Sequence, residues 1–408
     1  MQYIEHSGSK ELKAELEIWS SRLIFLIISF TGVMSFFDQV PMYSSDFKTL
    51  ASVGVFPYFK LIKDILIFLL FIILFPQYLM KYKSKLEIFI ISLLTTTIII
   101  SFSYSYYLHA DFYVLSGLRW VFPLYILIFL SAVNLFKERK NLEIIVYTLV
   151  FINFFSQIMQ LALMPHWFGT SDFGISKRVM GIFMAPNTTA FFLCASISII
   201  MYSKNFSFRE KLLSFFIVMI SIYFTKSGAG YVVLLIVTTL KLLDKKHLLP
   251  GVITICTLAI FLLYHLDSIL GRENYLLLSG GDRLKLVLDI YDKIGVYSDE
   301  FGQYTNTANL MMSIFQPYLP LQATDSTFAS VQGNLGYLGS FLYFSFILYV
   351  FIYCVIKKNK SAFSLLFVFF LFGFTTIIFE VYPVIYLAMF LYFYWDKGLN
   401  FANTKHPY

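Results

Sequence analysis

The chain has 408 residues, 58% of them hydrophobic and only 13% charged, with a mean hydropathy of +0.73. A soluble domain carries about 25% charged residues, so this composition excludes an ordinary soluble enzyme and indicates an all-α polytopic integral membrane protein. The net charge of +7 does not point to nucleic acid, because the cations sit in small clusters between apolar runs and form no basic groove interleaved with aromatics.

The first 18 residues are polar and mixed in charge, with Lys10 and Lys13 among Glu11, Glu15 and Glu17. The apolar run that follows lacks a small-residue cleavage site, so it is expected to remain as a first span. A bilayer core needs about 20 apolar residues per helix, and twelve runs are candidate spans, the seventh, eighth and twelfth of them short. Their limits are 19–37, 59–80, 86–106, 118–136, 142–164, 180–202, 212–226, 228–243, 248–266, 336–356, 362–380 and 382–395. Lys226-Ser227-Gly228 is the break that splits one long apolar stretch in two. Pro57, Pro76, Pro123 and Pro186 fall in or beside these runs, where each would kink or end a helix. Cys194, Cys256 and Cys354 lie inside apolar runs and suggest packing rather than disulfides or metal ligands.

Basic triplets recur after alternate spans: Lys81, Lys83 and Lys85; Lys137, Arg139 and Lys140; Lys204, Arg209 and Lys211; Lys241, Lys245 and Lys246; Lys357, Lys358 and Lys360. Excess Lys and Arg marks the cytoplasmic side. Both termini are then expected inside, and Asp267–Gly336, the one long stretch that is not a lipid-soluble helix, faces outward. Within it, residues 282–295 read as an amphipathic helix with Leu284, Val287, Leu288, Tyr291 and Ile294 on one face, and 306–315 as a second, both suited to the membrane interface. Asp325 or Ser326 is a plausible N-cap for a helix running into the next span. Gly333, Gly336 and Gly339 would admit another helix or a substrate at close range.

Three stretches carry candidate chemistry. In SKRVMGIFMAPNTTAFF, residues 176–192, Lys177 and Arg178 are either interfacial cations or an anion clamp, since Arg binds phosphate bidentately. Asn187 lies deeper and is either a helix–helix contact or a ligand contact. In GGDRLKLVLD, Arg283 and Lys285 either pair with Asp282 and Asp289 or join Arg178 and Lys226 around a diphosphate; Arg272 and Arg119 are lesser candidates. In ATDSTFASVQGNLGYLG, Asp325 is a helix cap, a general base, or both, with Ser326 and Gln332 nearby. His109, His166 and His265 are isolated and share no metal-ligand spacing. Glu380, near the outer end of a span, is either a functional acid or a bundle hydrogen bond.

In this order, these stretches resemble the O-antigen polymerase (Wzy) and O-antigen ligase superfamily. RVMGIFMAPN matches its Arg–Gly–apolar–Pro-Asn entry to a span, TKSGAG its small-residue turn, and GGDRLKLVLD and DSTFASVQGNLGYLG its periplasmic loop. The resemblance implies a GT-C-like, metal-independent glycosyltransferase in the bacterial inner membrane that needs no cofactor. It implies undecaprenyl-diphosphate-linked glycans and membrane lipid as partners, with a chain-length regulator as a further candidate. On that view Arg178 and Arg283 hold the donor diphosphate and Asp325 assists the acceptor hydroxyl. Ligases carry a His where this chain has Asp325, which favours a polymerase. A ligase remains the rival of the same chemistry. A transporter or flippase would show paired mid-span ions and internal repeats, which these nearly uncharged spans do not offer.

Overall fold

The computed structural model describes residues 7–37, 57–80, 85–109, 113–131, 133, 139–163, 178–183, 185–242, 253, 281–306 and 326–395. These residues form helices and connecting loops, with no strand among them. The helices are α1 (Ser7–Phe37), α2 (Pro57–Met80), α3 (Lys85–His109), α4 (Tyr113–Leu130), α5 (Arg139–Leu163), α6 (Pro186–Tyr202), α7 (Phe208–Thr225), α8 (Gly228–Leu242), α9 (Gly281–Lys293), α10 (Thr327–Ile356), α11 (Lys360–Gly373), α12 (Val384–Leu387) and α13 (Phe390–Trp395), with a 3-10 turn at Ile378–Glu380. Five of them are long and apolar enough to cross a membrane, within Glu15–Met34, Ile62–Met80, Glu87–His109, Arg139–Ala162 and Thr327–Ile356. The expected run 248–266, apart from Ile253, and the expected helix at 306–315, apart from Asn306, lie outside the described residues.

The bundle is built around α6. Every residue from Thr189 to Ile200 is buried, as expected of a helix that is apolar all round. Pro186 starts it at a position where a missing N–H is harmless. α5, α7, α8 and α11 all pack on it. Small residues allow the close contacts: a Cβ on Gly230 would lie 3.0 Å from that of Ala190, and the Ser198 and Ser364 hydroxyls meet at 2.9 Å.

Local chemistry explains the helix ends. Ser207 and Glu210 form a reciprocal capping box at the start of α7. Lys226 ends α7 in the left-handed conformation at φ 47°, and α8 begins at Gly228. The expected break therefore falls where Lys-Ser-Gly placed it. On the opposite side of the bundle, fully buried Glu143 pairs with Arg139 at 2.9 Å and accepts hydrogen bonds from Ser203 and Asn205. This ties α5 to the α6–α7 turn. Cys194 and Cys354 are buried free thiols; Cys256 lies outside the described residues.

α10 is two helices in series. Gly336, at φ 73° and ψ −168°, breaks the regular backbone between a buried first part and a second part that exposes Phe341, Phe346, Leu348 and Tyr349. The expected span from 336 thus coincides with the second part. The glycines serve the protein's own loop rather than a second helix. A Cβ on Gly333 would strike the Tyr304 ring, and one on Gly336 would sit 2.4 Å from the Val296 carbonyl oxygen.

That loop, 294–306, packs against α3, α4 and α10 and buries Ser298, Phe301, Gly302, Tyr304 and Thr305. A buried loop must have its backbone polar groups satisfied, and side chains supply the partners. Ser116 donates to the Gly302 carbonyl at 2.7 Å, Ser330 donates to the Tyr304 carbonyl at 2.6 Å, and Asn334 accepts from the Gly302 N–H at 2.8 Å. α9 is helical as expected, but its buried face differs. Ile290 and Ile294 are buried with Val287 and Leu286 beside them, whereas Leu284 and Leu288 are 61% and 55% exposed.

Candidate functional site

The segment 178–183 packs between α5, the start of α6 and the end of α7. Its Val179 N–H donates to the Phe224 carbonyl at 3.0 Å. Arg178 extends from it, half-buried. The guanidinium Nε donates to the Thr225 carbonyl at 3.0 Å and its Nη2 to Asn187 Oδ1 at 3.0 Å. Asn187 Oδ1 also accepts from the Ser227 hydroxyl at 3.2 Å. One side-chain oxygen therefore joins the N-terminal end of α6 to the α7–α8 turn and to Arg178.

The surroundings favour this arrangement. A cation at the last carbonyls of α7 complements the negative end of that helix. The start of α6 offers the opposite pole, with no side-chain cap at Ala185. Lys226 caps α7 one residue before Ser227, adding a second cation-bearing residue. Arginine, lysine and a helix N-terminus together constitute anion-binding chemistry.

Two residues that the sequence reading passed over hold the segment in place. Gln160 of α5 accepts from the Gly181 N–H at 3.0 Å and donates to the Gly181 carbonyl at 2.7 Å. Asn153 Oδ1 accepts from the Ile182 N–H at 3.0 Å. Gly181 has φ +69°, and a Cβ there would lie 2.1 Å from Asn153 Oδ1. The signal was in the chain: Asn153, Gln157 and Gln160 form a polar stripe at helical spacing along an apolar span, and all three are buried.

The remaining predicted residues fall as follows. Ser326 is the N-cap of α10, but its hydroxyl donates to the Gly373 carbonyl at 3.2 Å rather than capping the helix. Thr327 ties the same end to Thr376 at 2.6 Å. Phe372, beside Gly373, stacks on Phe191 of α6 at 5.0 Å, so the starts of α6 and α10 both rest on the end of α11. Gln332 is fully buried; its amide N–H donates to the Ile294 carbonyl and its oxygen accepts from Ser340 at 2.7 Å. Lys285 is exposed on α9. Arg283 lies in the first turn of α9, with its side chain outside the described residues. Lys177, Arg272 and Asp325 also lie outside them. Glu380 accepts from the Asn306 N–H at 2.6 Å. Among the described residues no group of His, Cys, Asp or Glu could hold a metal ion.

Of the predicted set, the structure thus brings Arg178, Asn187 and the Lys226 turn together. A scan of protein-family models and searches of curated proteins and solved structures returned no match.

Proposed function

We propose that this protein is a GT-C-like polysaccharide polymerase with about twelve spans, in the bacterial inner membrane with both termini cytoplasmic. It transfers a growing glycan from undecaprenyl diphosphate to the non-reducing end of a lipid-linked repeat unit on the periplasmic face. The observation that carries the reading is the Arg178–Asn187–Ser227 junction. It joins two separately recognised motif stretches in one site suited to an anion.

In this mechanism Arg178, with Arg283 and Lys226, holds the diphosphate and stabilises charge on the departing lipid. Asp325 accepts the proton of the attacking sugar hydroxyl. The leaving lipid diphosphate supplies the driving force. The test is polymer length in cells carrying Arg178→Ala or Arg283→Ala at normal protein levels. Short or absent polymer is expected from both; full-length polymer from both would sink the diphosphate clamp. Purified lipid-linked repeat unit supplied alone separates the polymerase from a ligase, since only a polymerase makes a ladder.

A further inference from the structure

A cleft of about 470 Å³ opens between α2, α3 and α4. Phe71 and Phe75 of α2, Ile91 and Ile99 of α3, and Leu118 and Phe122 of α4 are among its walls. On the wall, the Thr95 and Tyr125 hydroxyls pair with each other at 2.7 Å. On α2, Asp64, Phe68, Phe71 and Phe75 fall at i, i+4, i+7 and i+11, so they share one face. Of these, Phe71 and Phe75 line the cleft, and Asp64 stands about two helical turns before Phe71 on the same face. From Asp64 to Leu79 the helix rises about 22 Å, most of a ~30 Å hydrocarbon core.

The Asp64 end is polar in a specific way. Arg119, next to Leu118, lies 3.3 Å from Asp64 Oδ1, and Lys63 lies 3.6 Å from the same oxygen. Lys63 Nζ also sits 4.4 Å from the centre of the Tyr382 ring. Tyr382 and Tyr386 lie ring to ring at 5.9 Å. Both tyrosine hydroxyls are buried without a hydrogen-bond partner among the described residues, and Tyr386 is fully buried. Buried unpaired hydroxyls are rare and each calls for an explanation. Asp64 Oδ1 likewise makes no hydrogen bond, only ion pairs.

We propose that this cleft is the groove for the second lipid-linked substrate, the acceptor. The polyprenyl tail lies along α2 and α4, and the phosphate–sugar head sits at Lys63, Arg119 and the two tyrosines. Phosphate oxygens accept from the cations and phenols, and sugar hydroxyls donate to Asp64. A bare phosphate would leave the Asp64 oxygen facing another anion. The placement fits the reaction, because joining two lipid-linked chains needs two sites. The 3-10 turn packs on α4 and α12 packs on α6, so the segment 378–387 links the helix that carries Arg119 to the helix that carries Asn187. The inference rests on the proposed function for the identity of its occupant.

The experiment is native mass spectrometry of the full-length protein with the undecaprenyl-diphosphate-linked repeat unit as the probe and phosphatidylglycerol as competitor. The unaltered protein is expected to retain two probe molecules. Arg119→Ala and Ser92→Trp, the latter filling the cleft from an exposed position, are expected to weaken one of the two about tenfold. Arg119→Lys should retain it, and Arg178→Ala should remove the other. If Arg119→Ala does not fold, Ser92→Trp decides. Two probes retained in both Arg119→Ala and Ser92→Trp, a single probe in the unaltered protein, or displacement by an equal amount of phosphatidylglycerol would overturn the second groove. Retention of both probes by Arg178→Ala would instead count against the proposed function.

Discussion

Arg178 and Asn187 are joined by a 3.0 Å hydrogen bond from guanidinium to amide oxygen. They are nine residues apart in the chain, separated by a tight turn and the start of α6. The bond fixes the guanidinium, and the Ser227 hydroxyl on the same oxygen fixes the amide. A hydrogen bond to a charged group contributes about 1.5–3 kcal/mol. Asn187→Ala is therefore expected to weaken retention of undecaprenyl diphosphate about 10- to 100-fold. Asn187→Asp keeps an acceptor but adds a charge that competes with phosphate for Arg178, so it should bind no better. The check is probe retention measured beside thermal stability. Unchanged retention in both variants would show that Arg178 does not depend on this partner.

Gly181 tests the segment that carries Arg178. A residue with a Cβ at φ +69° is strained by about 1–3 kcal/mol, and that Cβ would also strike Asn153 Oδ1. Gly181→Ala should lower the melting temperature and the retained diphosphate together. Gln160→Leu leaves the Gly181 N–H and carbonyl unpaired, at about 1–3 kcal/mol for each buried group, while Gln160→Glu keeps the acceptor for the N–H. Melting temperature should therefore fall more for Gln160→Leu than for Gln160→Glu.

These residues show which features were legible in the chain. Helix identity and the α7–α8 break follow from apolar run length and from Lys-Ser-Gly at 226–228, both local properties. The association of Arg178 with Asn187 follows from their closeness in sequence. Which face of α9 is buried does not, because α10 and the 294–306 loop select it. Ile290 is covered there, while Leu284 and Leu288 are left exposed. The glycines of α10 were recognisable as close-approach sites, but their partners, Tyr304 and the Val296 carbonyl, come from a distant stretch. The Asn153–Gln160 stripe was readable as polar residues in an apolar span, although its target, the Gly181 peptide, was not.

Gly336 connects the two parts of α10 and receives the loop. Val296 of the loop sits against it, and Tyr337 and Leu338 donate to the Gly295 and Val296 carbonyls at 3.0 and 3.3 Å. Gly336→Ala is strained at φ +73° and pushes on the Val296 carbonyl. The expected result is faster proteolysis within 294–306, with α6 and its neighbours unaffected. Proteolysis at the unaltered rate would mean that the loop is held by its Ser and Asn contacts alone.

The same loop should respond to alkaline pH through Tyr304. Burial, and then the Glu300 carboxylate that accepts its hydrogen bond, raises the phenol above its ordinary value of 10.0. A group bound more tightly to its proton in the folded state contributes stability that is complete below the unfolded value. That contribution is lost as pH rises through the folded value. Docking of 294–306 should therefore hold from neutral pH to about 10 and loosen above it. Tyr304→Phe retains the ring against Gly333 but has no proton to lose. It also gives up the bond to Glu300, which keeps Lys293 as a partner at 2.6 Å. The variant should begin less firmly docked at pH 7 yet show a flatter loss above pH 10, measured by proteolysis of the loop. An equally steep alkaline loss in Tyr304→Phe would assign the transition to another group.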